Sequence, residues 1–282
     1  MPIAYPDILD FVAEPETWSW DERDTLLYAL GIGFGRDPLD RRELEYVVEG
    51  PGLRTIGAMA TMIGAAAGLR SSQLGVNRRL QVHGEESLVL HAPVAVAGST
   101  VGRTRVVACY DHGPDVGAAV VTQTELSDAS DGTLIATIGM TQFARGDGGF
   151  GGPPAPPSPA LPDRAPDHVA QVATWPSQAL LYRLLRDRNP LHVDPAKAAR
   201  AGFPRPILHG LCLFGIAWRV LLREIAGFEP ERIREQHLRF ARPVFPGDTL
   251  TFAFWREGDE VLFEASVEGR GAVLRHGRCV LA

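Results

Sequence analysis

The segment Arg205–Ala226, RPILHGLCLFGIAWRVLLREIA, sets Leu211, Phe214, Trp218, Leu221 and Leu222 on one face of a helix, while Cys212, Ile216 and Val220 fill the others. A helix that is apolar nearly all round leaves no face for water and has to be enclosed. Gly227 supplies its stop, because glycine enters the left-handed conformation of a C-terminal cap without a Cβ clash. Four strand-like runs follow, His237–Phe245, Asp248–Arg256, Glu260–Val267 and Ala272–Leu281. Their apolar residues alternate with polar ones, and Pro246-Gly247-Asp248 and Glu257-Gly258-Asp259 provide turns. The pattern predicts an antiparallel sheet wrapped around one buried helix.

Upstream, Gly146–Pro166 reads GDGGFGGPPAPPSPALPDRAP, a Gly/Pro cluster suited to neither helix nor central strand and expected to be an extended linker. It divides the chain into residues 1–145 and 167–282. The first part repeats the plan of the second, with a helix over Ile56–Leu69 and strands near Leu88–Val94, Thr100–Tyr110, Gly117–Leu126 and Leu134–Phe143. Pro93-Val94 followed by Thr100-Val101 echoes Pro243-Val244 followed by Thr249-Leu250, which points to duplication. The fold expected is α+β, a double hot-dog in which two antiparallel sheets each wrap a central helix.

Composition narrows the function. With 45% hydrophobic and 22% charged residues the chain is ordinary globular protein, long enough for two domains. A net charge of -6 offers no general attraction for nucleic acid, which a phosphate-backbone binder requires. Cys109, Cys212 and Cys279 are odd in number and far apart, so neither a disulfide framework nor a zinc site is expected. The longest apolar stretch, Ile56–Leu69, falls short of the roughly 20 residues that span a bilayer. The first ten residues lack the basic-then-apolar order of a signal peptide, and the C-terminus is not a Ser-Lys-Leu address. A cytoplasmic location without membrane attachment is the expectation.

Reactive side chains are densest in Tyr182–Pro195, just before the enclosed helix. Asp194-Pro195 fits an N-cap with proline at the first helical position, a structural role for Asp194. Asp187 and His192 lie five apart with Pro190 between them, so only a turn can bring them together. Converged on one water, a carboxylate and an imidazole suit general acid/base work, with Asn189 placed to orient the pair or the water. Spacing alone equally allows a capping Asn189 beside a solvated Asp187 and His192. His209-Gly210 stands at the start of the enclosed helix, where unpaired N–H groups point outward. Gly210 is therefore a candidate oxyanion donor, or else a packing glycine. Arg36-Asp37-Pro38-Leu39-Asp40 echoes Arg188-Asn189-Pro190-Leu191-His192 without the asparagine and histidine, so only the second half is expected to keep the chemistry. The small residues Ala58, Ala60, Gly64, Ala65 and Ala66 would then leave room in the first half for a bulky acyl chain.

The chain resembles the type-2 enoyl-CoA hydratases, the MaoC-like dehydratase family that includes the hydratase part of the peroxisomal multifunctional enzyme. The resemblance rests on Leu27–Gly33, Val82-His83-Gly84-Glu85, Gly148–Gly152, Asn189-Pro190-Leu191-His192 and the long run Gly202–Cys212. It implies a hydro-lyase that converts trans-2-enoyl-CoA reversibly to (R)-3-hydroxyacyl-CoA, in fatty-acid metabolism such as β-oxidation. It also implies Asp187 and His192 as the catalytic pair, Gly210 as oxyanion donor, and substrate contacts at His83, Gly84, Asn189 and Phe240. A basic CoA contact falls near His112, where lysine is more usual. The family has Ser-Gly where this chain has Leu185-Arg186, so the Arg186 guanidinium is expected to pair with Asp187 or to reach a CoA phosphate. No metal or redox cofactor is implied, since water addition needs proton transfers and an oxyanion donor, and a homodimer is inferred from the family. The rivals are a hot-dog acyl-CoA thioesterase and a non-catalytic acyl-CoA binder. Gly-x-Ser-x-Gly is absent, and no Gly-x-Gly-x-x-Gly sits between strand and helix.

Overall fold

A computed structural model describes residues 3–65, 74–77 and 80–282. The first half runs β1 (Glu16–Trp20), α1 (Glu22–Ile32), α2 (Arg41–Leu44), α3 (Met59–Gly64), β2 (Gln81–Leu90), β3 (Gly98–Asp111), β4 (Ala118–Asp128) and β5 (Leu134–Ala144). The second half runs β6 (His168–Ala173), α4 (Gln178–Tyr182), α5 (Pro195–Arg200), α6 (Gly210–Glu224), β7 (Ile233–Phe240), β8 (Thr249–Glu257), β9 (Glu260–Val267) and β10 (Gly271–Leu281). The strands form one ten-stranded antiparallel sheet, ordered β1-β3-β4-β5-β2-β7-β10-β9-β8-β6. This order reads the same from either edge once each strand is matched to its counterpart in the other half. It is a double hot-dog, closed into a single sheet by the β2–β7 seam.

Helix α6 is enclosed as its sequence requires: Cys212 through Leu222 are all buried. It ends at Glu224, two residues before the expected limit, and Gly227 at φ 67° lets the Phe228 N–H return to the Leu222 carbonyl at 2.8 Å. Helix α1 crosses α6 at Gly215, where a Cβ would lie 2.6 Å from Ile32 Cγ2 and 2.8 Å from the Tyr28 hydroxyl. That crossing exists only because position 215 has no side chain. Arg219 is the single charged residue on the buried stretch of α6, and it is bonded to Glu43 of α2. Glu43 also accepts the Gly35 N–H at 3.0 Å, so one buried ion pair ties the first half to the central helix of the second.

Several expected boundaries move. The first long strand of each half begins earlier than the apolar pattern suggests, at Gln81 and Ile233, and stops before Pro93 and Pro243. Edge strands β1 and β6 and helix α1 carried no strong pattern of their own. The first-half helix covers Met59–Gly64; Ala66 to Leu69 lie outside the described residues. Ala58 and Ala60 are fully buried, and a Cβ at Gly64 would collide with Ile138. Ala58, Ala60 and Gly64 thus serve close packing of α3 on the sheet, while Ala65 is exposed and Ala66 lies outside the described residues. Residues 147–162 form neither helix nor strand, yet they are tied down: Asp111 accepts the N–H groups of Gly149 and Gly151 at 2.7 Å, and His276 Nδ1 donates to the Pro159 carbonyl at 3.0 Å.

Removing one partner of a buried pair strands the other charge. Arg219→Leu should lower stability by about 3–5 kcal/mol, while Glu43→Leu combined with Arg219→Leu should cost much less. Urea-unfolding midpoints of the two single variants and the double variant check this.

Candidate active site

The Asp187–His192 turn is built by two successive side-chain-to-backbone bonds. Asp187 Oδ1 accepts the Asn189 N–H at 2.9 Å, and Asn189 Oδ1 accepts the Leu191 N–H at 3.1 Å. Pro190 then starts a short 3-10 turn, Pro190–His192, in the place its fixed φ favours. The turn brings His192 Nε2 to 3.8 Å from Asp187 Oδ2, too long for a direct hydrogen bond and short enough for both to hold one water. Asn189 thus shapes the pair through the backbone. Asp194 caps α5, accepting the N–H groups of Ala196 and Lys197.

The two partners differ in environment. His192 is buried and its Nδ1 donates to the Ile207 carbonyl at 2.9 Å, which leaves the lone pair on Nε2, toward Asp187. Burial lowers its pKa, with the Ile207 bond and Asp187 opposing. The Asp187 side chain is half exposed. A third group, for which sequence reasoning predicts no role, completes the cluster. The His209 ring stacks on His192, centroids 3.8 Å apart at 28°, and its Nε2 donates to the Asp187 carbonyl at 3.2 Å. Burial first, and then the neighbouring His192, drive its pKa down.

His209 immediately precedes α6, whose first intrahelical bond runs from the Leu213 N–H to the His209 carbonyl at 3.1 Å. The N–H groups of Gly210, Leu211 and Cys212 lie ahead of that bond. A Cβ at Gly210 would lie 3.3 Å from His83 Nδ1 and 3.4 Å from Phe240 Cζ. The His83 ring meets Phe240 edge-on, centroids 4.8 Å apart. His83, Phe240 and Gly210 therefore gather at one place, supplied by β2, β7 and α6, with His209 linking them to Asp187 and His192.

The remaining expected contacts stand further off. Gly84 occupies a bulge of β2, where its Cβ position is 3.1 Å from the Thr141 carbonyl oxygen and 3.7 Å from Phe143 Cβ. His112 packs on the Phe143 ring, centroids 5.5 Å apart, so it reaches the bulge only through that phenylalanine. The pairing expected between Arg186 and Asp187 is not formed. Arg186 turns to the Trp18 ring of β1, where burial lowers its pKa to about 10 and Asp24 partly offsets the effect. Its terminal nitrogens find no hydrogen-bond partner among the described residues.

Asp187, His192 and His209 offer ligand-type atoms all within 4.8 Å of one another. A metal ion needs in-plane nitrogen lone pairs that converge at about 2.0–2.1 Å. Here one nitrogen of each ring is already committed to a backbone carbonyl, His192 Nδ1 to Ile207 and His209 Nε2 to Asp187. The cluster fits a water bound by hydrogen bonds better than an ion.

Two family models divide the chain: residues 18–146 match the MFE-2 hydratase 2 N-terminal domain and residues 158–275 match the MaoC like domain. The 3-hydroxyacyl-thioester dehydratase Y of Mycobacterium tuberculosis is 39% identical over 94% of this chain and 92% of that protein. The chain belongs to the MaoC-like hydratase 2 family. Another member, the peroxisomal enoyl-CoA hydratase 2 of Arabidopsis thaliana, is 34% identical over 93% of this chain and 91% of its own length. The crystal structure of a MaoC-like dehydratase from Phytophthora capsici superposes with a TM-score of 0.87 at 30% identity, covering 99% of each chain.

The stacked histidines give this MaoC-like protein an acid-side weakness. A pKa depressed in the folded state contributes stability that is present above the unfolded value of about 6.5 and is lost as pH falls below it, because the unfolded chain then binds more protons. The wild-type urea midpoint should therefore drop between pH 7 and pH 5. In His209→Gln, which keeps a donor for the Asp187 carbonyl without titrating, the drop should be shallower.

Proposed function

We propose that the protein hydrates trans-2-enoyl-CoA thioesters reversibly to (R)-3-hydroxyacyl-CoA, with Asp187 and His192 as the acid/base pair. The observation that carries this reading is the water-sized gap between Asp187 Oδ2 and His192 Nε2 beside the unpaired amide end of α6. A water bridging the gap loses one proton to the pair as its oxygen bonds to C3, and the pair returns a proton to C2. Both transfers come from one side of the double bond, so addition is syn. Charge that gathers on the thioester oxygen during attack is met by the Gly210 N–H. Asn189 holds the turn. Phe240 and His83 flank the thioester, and His112 is assigned to the more distant CoA portion, whereas the Arg186 guanidinium, buried against Trp18, does not reach it. The chemistry closes with proton transfers alone and calls for no metal or redox cofactor.

In this reading residues 167–282 carry the acid/base pair, residues 1–145 supply His83 and the other wall, and residues 146–166 join them. Compartment and assembly belong to the same proposal: a cytoplasmic homodimer. Three free, buried cysteines suit a reducing environment, although the Arabidopsis relative is named peroxisomal. Among the described residues no helix is long and apolar enough to cross a membrane. Sedimentation should show twice the chain mass of 30.6 kDa.

The deciding experiment follows the absorbance of the conjugated thioester with crotonyl-CoA and a long-chain trans-2-enoyl-CoA. Wild type should consume both and yield the (R)-alcohol, and Asp187→Asn and His192→Ala should each lose about 10²–10⁴-fold in kcat. Release of free CoA thiol would identify a thioesterase instead, and binding without turnover would identify an acyl-CoA binder.

A further inference from the structure

His83 and Glu86 lie three residues apart on β2, and regular alternation would send them to opposite faces of the sheet. Gly84 reverses that parity. Against β5, His83 pairs with Gln142 and Glu85 with Thr141, so two steps along β2 match one step of the partner strand. Glycine fits the bulge without pressing on β5, where a Cβ would lie 3.1 Å from the Thr141 carbonyl oxygen. It turns His83 onto the inward face with Glu86, and His83 Nε2 meets Glu86 Oε2 at 2.8 Å. Glu86 is 2% exposed, and among the described residues its carboxyl meets no lysine or arginine. The nearby His237 is bonded to Glu85 on the other face. The second ring nitrogen of His83, Nδ1, is the atom that faces Gly210.

We propose that Glu86 is a positioning residue that keeps a hydrogen on His83 Nδ1, so that His83 and the Gly210 N–H together form a two-donor site for the thioester oxygen. The proposal rests on the hydration reading above. Its chemistry turns on one proton shared between Glu86 and His83 Nε2. With that proton on the carboxyl, Glu86 donates to Nε2 and the ring hydrogen is at Nδ1. With it on the ring, both nitrogens carry hydrogen and Nδ1 still donates. Only loss of the shared proton to solvent leaves a bare carboxylate beside a neutral imidazole, whose one remaining hydrogen then sits on Nε2 and leaves a lone pair facing the thioester. A buried carboxylate without a cationic partner is the least favourable of the three states. Desolvation accordingly raises the Glu86 pKa, opposed by its bond to His83.

The test pairs a spectroscopic and a kinetic readout. In protein labelled with ¹⁵N-histidine, with the His83 signals identified by their loss in His83→Gln, the spectrum at neutral pH should show Nδ1 protonated. Glu86→Gln, whose amide N–H donates to Nε2 in the same way, should retain turnover close to wild type. Glu86→Leu should lower kcat and kcat/KM together by about 10²–10³-fold with KM little changed, as expected when one oxyanion donor is lost. An unprotonated Nδ1, a Glu86→Leu enzyme with full kcat, or a Glu86→Gln enzyme as impaired as Glu86→Leu would each overturn the proposal. If Glu86→Leu does not fold, the wild-type spectrum and Glu86→Gln still decide. A wild type that hydrates no enoyl thioester would fail the functional reading, while the spectrum would still report where the hydrogen sits.

Discussion

Strands β2 and β7 pair antiparallel through Glu85–Val89 and Glu235–Arg239, with Ser87 opposite His237 at the middle of the seam. This pairing turns two half-barrels into one sheet, and it brings a residue of the first half, His83, against the helix of the second. Neither half alone contains the constellation around Gly210. The seam is held by more than backbone bonds: Glu85 reaches His237 and Arg239 across it, and Arg278 bonds Glu235 from the neighbouring strand. Exposed pairs of this kind add little stability, but like charges set opposite one another would disfavour a slipped register.

The two ends of the seam carry matching elements, and comparing them shows what distinguishes the end that holds Asp187 and His192. Counting outward from Ser87 and His237, Leu90 and Ile233 occupy at one end the places that Phe240 and His83 occupy at the other. That end forms a groove of about 260 Å³ lined by Gly57, Leu90, Pro93, Val94 and Ile233, among others. Gly57 stands before α3 as Gly210 opens α6. The turn geometry also survives, since Asp37 accepts the Leu39 N–H at 2.9 Å just as Asn189 accepts that of Leu191. The imidazoles do not: Ile56 precedes Gly57 where His209 precedes Gly210, and Asp40 holds the place of His192 and caps α2. The backbone alone therefore does not make the site, and the buried histidines distinguish one end from the other.

This contrast explains what could be read from residues alone. The enclosed helix was legible because nothing else accounts for an all-round apolar stretch, and the duplicated order followed from paired Pro-Val and Thr motifs. The early parts of β2 and β7 were hidden because their alternation is polar, with Glu85, Arg234, Glu235, His237 and Arg239 finding partners or solvent at the seam. Within the site, Asp187, Asn189 and His192 form a local turn, so their convergence could be anticipated from Pro190 and the spacing. His83, Glu86 and Phe240 meet the turn only through the seam, and their grouping depends on a bulge that no alternation rule foresees. Arg186 was misplaced for a related reason, since its nearest neighbour in space, Trp18, is distant in sequence.

Burial also separates the environments of Asp187 and His192. Asp187 keeps half its side chain in water, while His192 is enclosed and loses proton affinity through desolvation. For the proposed hydration, an enclosed imidazole beside a solvent-exposed carboxyl group is the combination in which one group would take a proton from water while the other returns one to carbon. Stacking His209 on His192 reinforces the arrangement, because a positive charge on either ring would be repelled by a charge on the other and poorly solvated. The same contact disfavours protonation of either ring. Enclosure by α6 and the seam thus separates the two side chains, shielding His192 from water while leaving Asp187 half exposed.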